Sequence, residues 1–158
     1  MALGCLQEFQ VANRIGNGEK GGVGSSKGGY GIIVRGDTGC FVAAAMGVSL
    51  GCSSPAVAES MALRRGMQLG LHLGLTSVVM ESDSQSIISI LNDQIEVSQD
   101  VCVVLNDVRA LEKNFHNCIF SFSKLSANNV AHVLACKGLV GEGYSFWTES
   151  LREFLIPY

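Results

Sequence analysis

Apolar and polar positions recur along the chain with two different periods. Tyr30, Ile32 and Val34 alternate with Gly31, Ile33 and Arg35, and after Gly36-Asp37-Thr38-Gly39 the alternation resumes at Cys40, Val42, Ala44, Met46 and Val48. A period of two on both sides of a cluster of turn residues predicts a β-hairpin. Ser53-Ser54-Pro55 supplies a capping hydroxyl and a proline suited to a first helical turn. Glu59, Ala62, Leu63, Gly66, Leu69, Gly70 and Leu73 then recur by threes and fours, which predicts a helix running to about Leu73. Val78 to Glu81 reads as a short strand leading into a helix marked by Ile87, Ile90 and Leu91. Val101, Val104, Leu105, Val108, Leu111 and Phe115 predict a further helix, and Cys118, Phe120 and Phe122 a strand. Ala131, Leu134 and Ala135 mark a last helix between Asn128 and Lys137, and the amphipathic tail from Phe146 is stopped by Pro157. Before residue 28 the pattern is weak. Phe9, Val11 and Ile15 outline one face of a first strand, and Gly16-Asn17-Gly18-Glu19-Lys20-Gly21 spells a GxGxxG that lacks the helix a phosphate cradle needs, so it reads as a loop.

The composition narrows the function. With 158 residues, 47% of them hydrophobic, the chain is the size of one domain with an ample core. A formal charge of -3 excludes a broad basic field, so contact with nucleic acid has to come from a local patch, with Arg64, Arg65, Arg109, Lys113 and Lys124 as candidates. The cysteines at 5, 40, 52, 102, 118 and 136 form no CxxC pair and read as reduced core residues, and His72, His116 and His132 lack zinc-ligand spacing. No apolar run is long enough to span a bilayer and the start lacks a signal-like pattern, so an intracellular protein of the nucleus or cytoplasm, with no membrane partner, is the expectation.

Two acids stand out. Asp83 follows the Val78–Glu81 strand directly, at the carboxyl end where flanked sheets gather ligands and metals, although Ser82, Asp83 or Ser84 would equally cap the helix that follows. Glu59 lies on the apolar stripe of the long helix. A carboxylate facing a core needs a donor, a cation or a metal, unless it faces partly to water in the first helical turns.

Four motifs in order carry a family resemblance: Gly28-Gly29-Tyr30-Gly31, Ala58-Glu59, Glu81-Ser82-Asp83-Ser84 and Asn128-Asn129-Val130-Ala131-His132. Together they resemble the ribonuclease H type 1 domain, most nearly its plant reverse-transcriptase-like branch, whose tail also carries a Trp and acids as in Trp147-Thr148-Glu149. The resemblance covers residues 28–150, with 1–27 a poorly matched segment and glycine-rich loop and 151–158 a tail. It implies an α/β fold, a mixed sheet with antiparallel first strands and then parallel strands, flanked by helices. It also implies cleavage of the RNA strand of an RNA/DNA hybrid, with Mg²⁺ or Mn²⁺ as cofactor. In that chemistry carboxylates hold two metal ions about 4 Å apart, one activating water and one stabilising the leaving oxygen. By motif, Glu59 and Asp83 are the metal ligands and, with His132, the catalytic set; Gln85, Gly29 and Asn128 are the substrate contacts.

The departures are specific. The family's first strand carries an aspartate that bridges both metals; the nearest positions by motif are Asn17 and Gly18, and no aspartate occurs in residues 1–36. His132 stands where the family has its fourth carboxylate, as in plant relatives. Two carboxylates facing two divalent ions leave a site with net positive charge, which predicts one weakly held cation and very slow or absent hydrolysis. The readings left open are a hybrid-cutting nuclease of retroelement kind, a non-catalytic module of the same fold that binds nucleic acid or protein, and a truncated gene product whose first strand is lost.

Overall fold

A computed structural model describes residues 6–16, 27–93, 95–141 and 143–148. The glycine-rich loop and Asn17 and Gly18 fall largely or wholly outside the described residues, as does the tail beyond Thr148. The elements are β1 (Gln7–Ile15), β2 (Gly28–Arg35), β3 (Phe41–Ser49), α1 (Pro55–His72), β4 (Ser77–Ser82), α2 (Gln85–Asp93), α3 (Gln99–Glu112), β5 (Asn117–Phe122), α4 (Asn129–Val140) and β6 (Ser145–Trp147). They build one six-stranded sheet in the order β5-β4-β1-β2-β3-β6. The pairs β1/β2, β2/β3 and β3/β6 are antiparallel, whereas β4 lies parallel to β1 and β5 parallel to β4. The mixed sheet flanked by helices is the expected fold class.

β1 is present and central, so the sheet begins well before residue 28. It pairs with β2 on one side and with β4 on the other. Phe9, Val11 and Ala12 are all buried, on both faces of the strand. A strand covered on both sides loses the clean apolar/polar alternation that marks a half-exposed one, which is why its pattern is weak in sequence. The amphipathic tail begins as β6, hydrogen-bonded along Ala44, Ala45 and Met46 of β3.

The sheet separates two cores. On one face Phe9, Val11, Val78 and Met80 pack against Leu63 and Met67 of α1 and Val108 of α3. α1 starts where the sequence places it, with Ser54 accepting the Val57 N–H at 3.2 Å. Gly66 of α1 sits over Val11 and Met80, where a Cβ would come within 2.8 Å of either side chain.

The opposite core is made of small residues. Ala12, Ile33, Ala44 and Met46 meet Ala131, Leu134 and Ala135 of α4. α4 lies almost on the backbone of β2: a Cβ on Gly31 would stand 2.5 Å from the Ala135 nitrogen and would collide with the Ala131 carbonyl oxygen. Gly29 has the same relation to the Ala135 carbonyl oxygen and the Leu139 nitrogen. Both glycines are required by this close approach, since neither helix nor strand backbone yields easily.

The described cysteines are not all core residues: Cys52 is buried, Cys102 and Cys118 are half-buried, and Cys40 and Cys136 are exposed. Burial pushes the Cys118 thiol up to about 12, so it is protonated and unreactive at neutral pH. The candidate basic residues are dispersed: Arg64 pairs with Asp107 at 2.7 Å and Arg109 donates to the Ile90 carbonyl. No helix among the described residues is long and apolar enough to cross a membrane.

The packing of α4 on β2 is testable. Gly31→Ala should lower unfolding free energy by roughly 1–3 kcal/mol through overpacking, measured by urea unfolding. A neutral result would mean that α4 does not lie this close to the strand.

Candidate functional site

β4 ends at Ser82, and the next residues divide the roles that the sequence leaves open. Ser84 is the cap of α2: its hydroxyl accepts the Ile87 N–H at 3.4 Å and its carbonyl the Ile88 N–H at 3.1 Å. The Ser84 N–H in turn donates to the Ser82 hydroxyl at 3.1 Å. With capping done by Ser84, the Asp83 side chain is free for other work.

Asp83 meets His132, whose Nε2 lies 2.6 Å from Asp83 Oδ2. An ionised carboxylate only accepts, so the ring nitrogen is the donor. Both side chains are partly covered, with 25% of His132 and 18% of Asp83 accessible. Glu59, in the second turn of α1, faces the same crevice. Burial raises its carboxyl above the usual glutamate range, and the Asp83 charge raises it further. A hydrogen bond from the Ser84 hydroxyl opposes this most, with smaller help from the Asn13 amide and the His132 charge. Residues 59, 83 and 132, distant in sequence, therefore share one electrostatic environment.

Asn128 explains how His132 reaches this position. It is fully buried, and its Nδ2 donates to the Val11 carbonyl of β1 at 2.9 Å. The His132 N–H bonds the Asn128 carbonyl at 3.2 Å, so one helical turn separates the anchor from the imidazole. Asn128 is thus inaccessible to a substrate and fastens α4 to β1 instead. Gly29 is likewise buried under α4, and its absent side chain serves the packing. Gln85, by contrast, is exposed at the first turn of α2, next to Asp83 and Ser84.

The strand register identifies the position beside Asp83 more directly than motif spacing does. In the parallel β1/β4 pair Gln10 lies beside Glu81 and Val11 beside Ser82, so Ala12 is the lateral neighbour of Asp83 and points to the same face. Ala12 also packs against Ala131, adjacent to His132. Asn17 and Gly18, the positions indicated by motif spacing, lie beyond the end of β1 and outside the described residues. The only described acid before residue 28 is Glu8, whose charge acts on Glu81 and not on Glu59.

A second polar chain on the same face was not apparent in the sequence. Arg35 donates to Gln10 Oε1 at 2.6 Å, and Gln10 Nε2 donates to Glu81 at 3.2 Å and to the Ala127 carbonyl at 3.1 Å. Period-two spacing gives Gln10, Glu81 and Asp83 a common face, but the partner strand is known only from the pairing.

A divalent cation fits this donor set in part. Glu59 and Asp83 offer hard carboxylate oxygens, the kind magnesium prefers. Among the described residues, however, no group of three His, Cys, Asp or Glu side chains is assembled to hold a metal ion. A two-metal centre does not fit these residues.

The comparisons with known proteins agree with the geometry. No curated protein matches the chain by sequence. Among solved structures, ribonuclease H1 from Halobacterium salinarum is similar, with a TM-score of 0.70 at 18% identity over 85% of this chain and 96% of that one. The N-terminal ribonuclease H domain of a Mycobacterium tuberculosis protein gives 0.70 at 20% identity, over 85% and 94%. A metagenomic ribonuclease H1, LC11, solved in complex with an RNA/DNA hybrid, gives 0.66 at 14% identity, over 85% and 95%. These likenesses establish a ribonuclease H fold. A family model described as reverse transcriptase-like matches residues 18–138, and the chain therefore belongs to the reverse transcriptase-like family.

Proposed function

We propose that the chain engages nucleic acid, an RNA/DNA hybrid first of all, at the edge formed by Glu59, Asp83 and His132, and cuts the RNA strand slowly. The observation that carries this reading is the convergence of those three side chains, from α1, the end of β4 and α4, on one partly accessible crevice. Gln85, exposed beside them, offers an amide to the hybrid, in keeping with recognition by shape and minor-groove contacts. The ribonuclease H1 solved with a hybrid supports the substrate class.

Mg²⁺ or Mn²⁺ is the cofactor in this proposal, with Glu59 and Asp83 holding a single weakly bound ion. When bound, such an ion supplies Lewis-acid stabilisation of phosphate charge. The protein's own contribution is to bring the two carboxylates together, near enough for the Asp83 charge to add to burial in raising the Glu59 carboxyl. His132 orients Asp83 by its hydrogen bond. Slow turnover follows from Ala12, which puts a methyl group where a carboxylate beside Asp83 would complete the set. The same residue favours a second reading, a module that binds the hybrid without cutting it.

Labelled RNA/DNA hybrid incubated with Mg²⁺ or Mn²⁺ should be cleaved slowly by the protein and not by Asp83→Asn. Equal cleavage by both would refute the site, and binding without cleavage would favour the second reading. Ala12→Asp should raise the cleavage rate on the order of tenfold or more, because a third carboxylate strengthens cation binding, with thermal melting used to correct for the folded fraction.

The raised Glu59 carboxyl also has a stability consequence. Its ionisation costs folding free energy, a cost absent below the ordinary glutamate pKa of about 4.3 and growing as pH rises through the higher folded value. Glu59→Gln should therefore be more stable than the parent at neutral pH, with the gain vanishing near pH ~4. Urea titrations at both pH values check this, and a variant less stable at neutral pH would contradict it.

A further inference from the structure

On the face of the sheet opposite α4, α1 and the strands β2 and β3 leave a cavity of about 450 Å³. This is separate from the crevice of Glu59 and Asp83 and lies within the range of small-molecule sites, roughly 300–1,000 Å³. Its floor is apolar and buried, made by Tyr30, Ile32, Ala45 and Leu69. Its rim is polar, with Arg65, Gln68 and His72 projecting from α1 and Tyr144 facing them. Among the described residues no acid lines it, although the chain as a whole is negative.

Two features of the rim point to a ligand. The Arg65 guanidinium lies over the Tyr30 ring, 5.7 Å from its centroid, and no carboxylate among the described residues pairs with it. Its sequence neighbour Arg64 is turned the other way, to Asp107. Opposite Arg65, the Tyr144 ring is 61% exposed, and Gly143, at a φ of 88°, turns the chain into it. Burial raises the phenols of Tyr30 and Tyr144, so both stay protonated and available as donors. An exposed flat ring beside a guanidinium without an anionic partner among the described residues, above an apolar floor, suits a planar molecule with an anionic group.

We propose that this cavity binds a nucleotide: a base laid against Tyr144 and the apolar floor, with its phosphate on Arg65. A cationic ligand would be repelled by Arg65, and a purely apolar one would leave the guanidinium without an anion. Arg65 is six residues beyond Glu59 on the same helix, a rise of roughly 9 Å. A free nucleotide and the terminal nucleotide of a strand present the same chemistry at that distance. The site goes beyond the proposed nuclease function, and it stands or falls independently of cleavage at Asp83.

Isothermal titration of the whole protein with adenosine 5′-monophosphate, adenosine and inorganic phosphate tests it. The nucleotide should bind more tightly than either fragment, and about tenfold less tightly to Arg65→Ala, since a charge-assisted contact is lost. Tyr144→Ala should weaken it as well, whereas Arg64→Ala should match the parent and exclude a non-specific charge effect. Arg65 and Tyr144 are exposed and Arg64 is half-buried, and thermal melting confirms that each variant is folded. A 5′-phosphorylated dinucleotide binding more tightly than the mononucleotide assigns the site to a strand end; the reverse order assigns it to a free nucleotide. Absence of nucleotide binding, equal binding by Arg65→Ala, or adenosine binding as tightly as its monophosphate overturns the proposal.

Discussion

The seating of α4 on the sheet is the constraint on which the site depends. Asn128 fastens the start of that helix to the Val11 carbonyl in the middle of the fold, away from water. A buried amide bonded to a backbone carbonyl is costly to break, because both groups would be left unsatisfied. Along the rest of the helix, Gly29 and Gly31 let its backbone lie directly on β2. Fixed at one end by a hydrogen bond and along its length by contact, α4 has little freedom to slide. The His132 imidazole is therefore held over the end of β4, where it meets Asp83.

The same seating gives the two cores different characters. The α1 face is filled by large side chains such as Phe9, Leu63, Met67 and Met80. The α4 face is mostly alanine, with bulk supplied by Ile33, Met46 and Leu134. Large side chains hold elements apart and tolerate small shifts, whereas an alanine and glycine interface brings backbones together and fixes their relation. It follows that the element bearing His132 is placed on the more sharply defined of the two faces.

Electrostatically the crevice is unbalanced in a particular way. Two carboxylates approach each other, both partly buried, with a hydroxyl, an amide and an imidazole as the neutral or weakly basic groups around them. Glu81 nearby is treated differently: burial raises its carboxyl, but Gln10 and Arg35 form a continuous chain of donors to it. Glu81 takes its donor from that strand-to-strand chain, while Glu59 and Asp83 face each other, with Ser84, Asn13 and His132 as their partners. That difference separates a structural acid from a candidate functional one more clearly than position in the sequence does.

Most elements were legible from local pattern: the hairpin around Gly36–Gly39, the Ser54 cap of α1, and the strand running into Asp83 all appear where periodicity and capping chemistry put them. The motifs that pair Glu59 with Asp83 were legible as well, because each is tied to a short local signature. What local pattern did not resolve depends on neighbours distant in the chain. β1 is central and buried on both faces, so its residues lack the alternation that would announce it. Gly29 and Asn128 read as substrate contacts, yet the approach of α4 makes one a packing notch and the other a buried anchor. The neighbour of Asp83, Ala12, is decided by the register between two strands joined through more than sixty residues, a relation fixed by sheet pairing and invisible to spacing along the chain. Side chains and turns are set by adjacent residues; which charges face one another is set by the pairing and packing of elements that meet only in the folded protein.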